Sequence, residues 1–303
     1  MIPDYQSIML PLLKFISDGN EYKMRDVTDQ LAVKLGVSED EKKELLPSGA
    51  APVFYNRTAW AKTYLKKAGL IDSPKQGTVF ITQRGRDVLK TNPPSIDVKF
   101  LKTFPEFIAF QTAKKDDETI EPTEVDENSE TPEEALETAY QKIRKSIAQD
   151  LIAKVLAMSP AFFEKLVVEL LVRMGYGGSI KDAGKAIGKS GDEGIDGTIK
   201  EDKLGLDIIY IQAKRWQQGN VVGRPELHKF VGALAGQGAK KGIFITTSTF
   251  TKEAIDYVPK NETKIVLVDG DQLAQYMIDY NLGVTRVNNY EVKRIDSDYF
   301  EET

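Results

Sequence analysis

Between residues 207 and 214 apolar and polar positions alternate: Ile209, Ile211 and Ala213 fall on one side of an extended chain, and Ile208, Tyr210, Gln212 and Lys214 on the other. The alternation predicts a strand on which Gln212 and Lys214 share a face. Upstream, IDGTIK (195–200) also reads as extended, and the polar EDKLGL turn between them, with its glycine, predicts an antiparallel hairpin. Folding that hairpin about Leu204 sets Asp196 opposite Gln212. Before it, SPAFFEKLVVELLVRMGYGG (159–178) has helical spacing: Ser159 suits an N-cap, Pro160 the first helical position and Gly175 the end. Phe163, Leu166, Val167, Leu170 and Met174 form the core stripe, with Glu164 at its edge. After the hairpin come a predicted helix at 225–236, a strand at 242–248, a helix from Lys252, a strand at 264–270 and a helix from Asp271 to about Tyr280. This alternation implies an α/β domain, a mixed sheet flanked by helices with its ligand site at one sheet edge.

The first 95 residues carry a different pattern. Met24, Val27, Leu31 and Leu35 recur at helical spacing, Gly36 stops that helix, and Ser38 with Glu41 predicts a capping box. NRTAWAKTYLKKAGLI supplies a third helix with Ala61, Tyr64, Leu65 and Ala68 inside, and Arg57, Thr58, Lys62 and Lys66 expected outside. LIDSPKQGTVFIT then reads as two short strands around a turn that carries Lys75, and Thr82 caps a closing helix. A basic helix followed by a small β-wing is a winged-helix arrangement that lays a helix in the major groove, with basic residues on phosphates. A winged-helix protein-interaction module is the alternative. Trp60 is read as a core anchor.

Net charge first argues against a nucleic-acid partner, then for one. The chain carries a formal charge of −5, but residues 116–137 hold 11 of its 46 acids and none of its 41 bases, so the remainder, with 35 acids, is +6. The acidic stretch is rich in Pro, Thr and Glu and marks residues 96–137 as a flexible linker between domains 1–95 and 138–303. The absence of cysteine and the single histidine, His228, exclude a disulfide framework, a cysteine zinc site and a histidine metal cluster. The amino terminus lacks the apolar length and flanks of a signal peptide, which points to a cytoplasmic protein with no membrane partner. No GxxxxGK[ST] loop is present, so a nucleotide-driven motor is not expected.

The hairpin is where chemistry is expected. Asp196, the amide oxygen of Gln212, the backbone carbonyl of Ala213 and a DNA phosphate would form a hard-oxygen shell for Mg2+, with Lys214 beside it to orient or deprotonate water. The same residues also fit a half-buried strand with an incidental Gln and a snorkelling Lys, and Glu164 also fits a carboxylate that merely suits a helix N-terminus. Gly223-Arg224-Pro225 opens a helix whose first amides, with Arg224, could hold a phosphate.

The order SPxxFExLVxxLLxxMGY, GDEGIDG, a strand ending in QAKRW, GRPELHKFVGALAGQGAKKGIFITTSTFT and a VLVDG strand resembles the Mrr family of bacterial restriction enzymes. The resemblance is dense over about residues 150–280 and extends to the amino-terminal region, which is similar to the Mrr winged-helix domain. It implies a restriction-endonuclease-like PD-(D/E)xK core and Mg2+-dependent cleavage of methylated, double-stranded foreign DNA. Asp196, Gln212 and Lys214 match its catalytic positions and Glu164 its helix acid. Gln212 stands where Glu is more usual, which leaves Glu164 or Glu193 to supply the missing charge. Cutting both strands calls for two sites, so a homodimer or higher homo-oligomer is expected. A repair or junction nuclease, or a DNA-binding protein whose nuclease domain is silent, would be the other readings.

Overall fold

The computed structural model describes residues 1–49, 51–75, 77–111, 130–177, 194–202, 204–217, 219–258 and 263–293. The chain forms two compact units, residues 1–141 and 142–293. No helix among the described residues is long and apolar enough to cross a membrane.

In the first unit, Asp4 caps α1 (Tyr5–Phe15), which buries Ile8, Met9, Leu12 and Leu13 completely. There follow β1 (Tyr22–Lys23), α2 (Met24–Lys34), α3 (Glu39–Lys43), α4 (Val53–Lys67), β2 (Ile71–Asp72), β3 (Thr78–Ile81) and α5 (Gln83–Lys90). The predicted Ser38–Glu41 capping box is formed in both directions, and Thr82 caps α5 through its hydroxyl. The strands make an antiparallel sheet in the order β1-β3-β2. At two residues β1 is too short to leave an alternation in the sequence. Gly85 lets α5 lie directly on the end of β2, since a Cβ there would stand 2.1 Å from the carbonyl oxygen of Leu70.

The expected linker is corrected at both ends. Residues 98–111 form α6 (Val98–Leu101) and α7 (Pro105–Gln111), whose Leu101 and Phe107 are fully buried in the same core as α1 and α4. The Phe107 ring stands edge-on to Tyr64 at 5.5 Å. At the other end, α8 (Pro132–Ala157) starts inside the acidic stretch. Its first turn is fixed within this unit: Glu134 pairs with Arg57 at 2.8 Å, Glu133 accepts from the Trp60 indole, and buried Thr131 donates to Asn56 at 2.7 Å. Acids expected to be solvated are thus consumed by partners on α4. Residues 112–129 lie outside the described residues.

The second unit holds the rest of α8, then α9 (Pro160–Arg173), β4 (Gly197–Lys200), β5 (Ile208–Lys214), α10 (Arg224–Gly236), β6 (Lys241–Thr246), α11 (Lys252–Tyr257), β7 (Lys264–Val268) and α12 (Gly270–Asp279). The sheet order is β4-β5-β6-β7, antiparallel between β4 and β5 and parallel beyond. One core gathers Ile209 and Ile211 with α8, α9 and α12; a second, around Phe230 and Phe244, gathers α10 and α11. This is the predicted mixed sheet flanked by helices. The strand expected to run to residue 270 ends at Val268, because Asp269 turns to cap α12 with a capping box.

Candidate active site

The hairpin register pairs Gly197 with Ile211 and Lys200 with Ile208, so the ladder turns about Leu204 as the sequence pattern predicts. One step beyond the last pair, the backbone N–H of Asp196 donates to Ile211 at 2.8 Å, which continues the ladder and brings Asp196 opposite Gln212. The Asp196 carboxylate is then fixed by two donors on one oxygen: the Gln212 side-chain amide at 2.9 Å and the Ala213 backbone N–H at 2.7 Å. Gln212 is buried, 3% exposed, whereas Lys214 at the strand end is half-buried. The Lys214 carbonyl accepts from Thr246 Oγ1 at 2.9 Å and from the Thr247 N–H at 3.2 Å, so β6 pins the strand end while the Lys214 ammonium has no ion pair among the described residues. Next to it, Arg215 donates to the Leu156 carbonyl at 2.5 Å, where a cation suits the negative end of α8. Gly194 (φ +106°) brings the chain against the Gln212 side chain; a Cβ there would stand 3.1 Å from its Oε1.

Glu164, in the first turns of α9, joins this group electrostatically. Its carboxyl is held above the ordinary carboxylate range, first by burial and then by the negative charge of Asp196. Two carboxylates that repel each other beside an amide and a strand end make a hard-oxygen donor set that a divalent cation would relieve. Among the described residues no site gathers three or more Asp, Glu, His or Cys side chains, so any cation would depend on Glu164, Asp196, the neutral Gln212 and backbone carbonyls such as that of Ala213. Glu193 lies outside the described residues.

Residues 155–277 match the restriction endonuclease family Mrr_cat, and residues 5–91 match the Mrr N-terminal domain. Over 314 aligned residues the chain is 37% identical to the type IV methyl-directed restriction enzyme EcoKMrr of Escherichia coli (strain K12), with 99% of both chains covered. The chain belongs to the Mrr family of restriction endonucleases. Of solved structures, the DNA modification-dependent restriction endonuclease AspBHI is 16% identical, over 46% of this chain and 36% of its own, at a TM-score of 0.36. The restriction endonuclease MspJI in complex with a 27-mer oligonucleotide is 22% identical, over 46% and 33%, at 0.36.

The Mrr N-terminal unit redistributes the residues expected to face DNA. Thr58 is not outside: it is fully buried and its hydroxyl donates to the Phe54 carbonyl at 2.8 Å. Arg57 is turned inward too, donating to the carbonyls of Ile2 and Pro3 besides its pair with Glu134. Lys62 is half-buried, and Lys66, exposed, pairs with Asp72 at 3.1 Å. Lys75 is exposed in the turn between β2 and β3. In the Mrr nuclease unit Arg224 is exposed in the first turn of α10, held over the Tyr257 ring at 5.0 Å and donating to His228 at 3.0 Å. Trp60 packs on the core as expected. The sequence reading missed the Arg215 anchor, whose signal was an arginine directly after Lys214, and the stripe Tyr55, Ala59, Lys62, Lys66 at helical spacing along α4.

Proposed function

We propose that this Mrr endonuclease hydrolyses the backbone of methylated double-stranded DNA at the Asp196–Gln212–Lys214 cluster, with Mg2+ as the cofactor and a homodimer as the assembly that cuts both strands. The observation that carries the reading is the convergence of Asp196, Gln212, Ala213, Lys214 and, through its shifted carboxyl, Glu164 at one end of the β4–β5 ladder. The methyl-directed name of the Escherichia coli relative supports the choice of substrate. Asp196 and Glu164, with the Gln212 amide oxygen and the Ala213 carbonyl, would hold the cation. When bound, it supplies a Lewis acid for phosphate oxygens and a more acidic water. Lys214 presents a cation at the end of a strand clamped by Thr246, placed to orient the attacking water and to stabilise charge developing on the phosphate. The N-terminal unit acts as a winged helix that selects the DNA, with Lys62, Lys66 and Lys75 on phosphates, while Arg224 offers the nuclease unit a further phosphate contact. The enzyme works in the cytoplasm.

The test is cleavage of matched methylated and unmethylated plasmids with and without Mg2+. Asp196→Ala and Lys214→Ala are each expected to lower the cleavage rate about a hundredfold or more while leaving the melting temperature and DNA binding near wild type. Full cleavage by either folded variant would overturn the assignment.

A further inference from the structure

The face of α4 that remains open in the first unit is narrow. Phe54, Thr58, Ala61 and Leu65 point into the core, and Arg57 and Trp60 are covered by the chain's first residues and the first turn of α8. Of the positions left, which also include Asn56, Thr63 and Lys67, four fall on one stripe at i, i+4, i+7 and i+11: Tyr55, Ala59, Lys62 and Lys66. The lysine end of the stripe suits phosphates. The other end is different, because Tyr55 and Ala59 meet Met24, Arg25 and Thr28 of α2 around a cleft of about 500 Å³.

This cleft has the parts of a base reader rather than of a phosphate site. The Tyr55 hydroxyl donates to Asp29, which fixes the ring against α2. The Thr28 hydroxyl donates to the Met24 carbonyl at 2.9 Å, so its proton is committed to the helix, and Thr28, 4% exposed, lines the floor of the cleft. Ala59 and Met24 add further apolar surface. Arg25, exposed beside this surface, has no ion pair among the described residues. In the major groove, apolar groups such as the alanine and threonine methyls contact a base methyl, and a guanidinium reads the O6 and N7 of guanine. The C5-methyl of cytosine and the N6-methyl of adenine both project into that groove. We propose that the α2–α4 cleft, walled by Met24, Thr28, Tyr55 and Ala59, receives the methyl group of a modified base in duplex DNA while Arg25 reads a neighbouring guanine. This rests on the proposed function, whose substrate it narrows to a methyl displayed in the major groove and read by named side chains.

The test measures binding of the full chain in EDTA, where cleavage is off, to duplexes of one sequence carrying 5-methylcytosine, N6-methyladenine or no methyl. Wild type is expected to prefer one methylated duplex, and that arm identifies the base. Ala59→Leu fills the cleft from an exposed helix position, and should lower the methylated-to-unmethylated affinity ratio about fourfold, the factor one buried methyl contributes, with unmethylated binding little changed. Tyr55→Phe, which deletes only the hydroxyl that anchors the ring, should lower the same ratio. Lys66→Ala should weaken all duplexes together and leave the ratio alone. If wild type prefers methylated DNA and both cleft variants keep that preference, the cleft is not the reader and only this inference falls. If wild-type binding and cleavage are both indifferent to methylation, the proposed function falls and takes this inference with it.

Discussion

Gln212 meets Asp196 as a hydrogen-bond donor, so its amide both holds the carboxylate and spares the site a third negative charge. Gln212→Glu would remove that donor and set two carboxylates against each other. The expected outcome is a lower melting temperature in EDTA and a larger gain on adding Mg2+ than wild type shows, read by calorimetric or fluorescence melting. Glu164 gives a pH-dependent counterpart. Its carboxyl titrates above its unfolded value, so the folded state holds more protons between the two values and stability falls as pH rises through that window. Glu164→Gln should therefore stabilise the cation-free protein at neutral pH, lose that advantage below the ordinary carboxylate range, and gain less from Mg2+. A pH series of melting curves with and without the cation checks all three. At this scale the sequence was legible where a period decides the geometry: Asp196, Gln212 and Lys214 fall where a hairpin about Leu204 puts them. It was illegible at Thr58 and Arg57, because helical spacing alone does not tell how far the core reaches around α4 or that Ile2, Pro3 and Glu134 cover its polar side.

Among the elements, the strands of the second unit and its helices α9 to α12 were readable because each repeats its pattern over several residues, whereas α1 and the 26-residue α8 were not predicted. Two-residue strands and helices of one turn or two do not, and β1, α6 and α7 were missed for that reason. The acidic composition of residues 130–137 pointed to solvent, whereas Glu133 and Glu134 have specific partners on α4. α7 offers a direct check. Phe107 is fully buried and packs on Tyr64, so Phe107→Ala should destabilise the first unit by about 3–5 kcal/mol, measured by denaturant unfolding. A change of a few tenths would return this stretch to the linker.

For the molecule as a whole, the split at residues 141 and 142 implies that a fragment of residues 1–141 is a better unit of recognition than one ending at residue 95, which lacks the buried Leu101 and Phe107. The longer fragment should fold cooperatively and bind duplex DNA, with affinity falling steeply as salt rises because lysine contacts release counterions. Lys62→Ala and Lys66→Ala should each flatten the log–log salt slope by about one unit. A 1–141 fragment that folds but shows no affinity at low salt would make this unit an interaction module, the alternative that its sequence left open.

The placement of the Asp196 carboxylate on the Ala213 amide, one step past the end of an antiparallel ladder, also has a meaning in time. Asp196 and Gln212 are separated by 16 positions, and closing so short a loop costs little chain entropy. The parallel pairing of β5 with β6 must instead wait for a crossover through α10, and such non-local contacts form late. The proposed cluster would therefore form first in the local hairpin and be clamped by Thr246 afterwards, so its geometry follows the order in which the chain closes its loops.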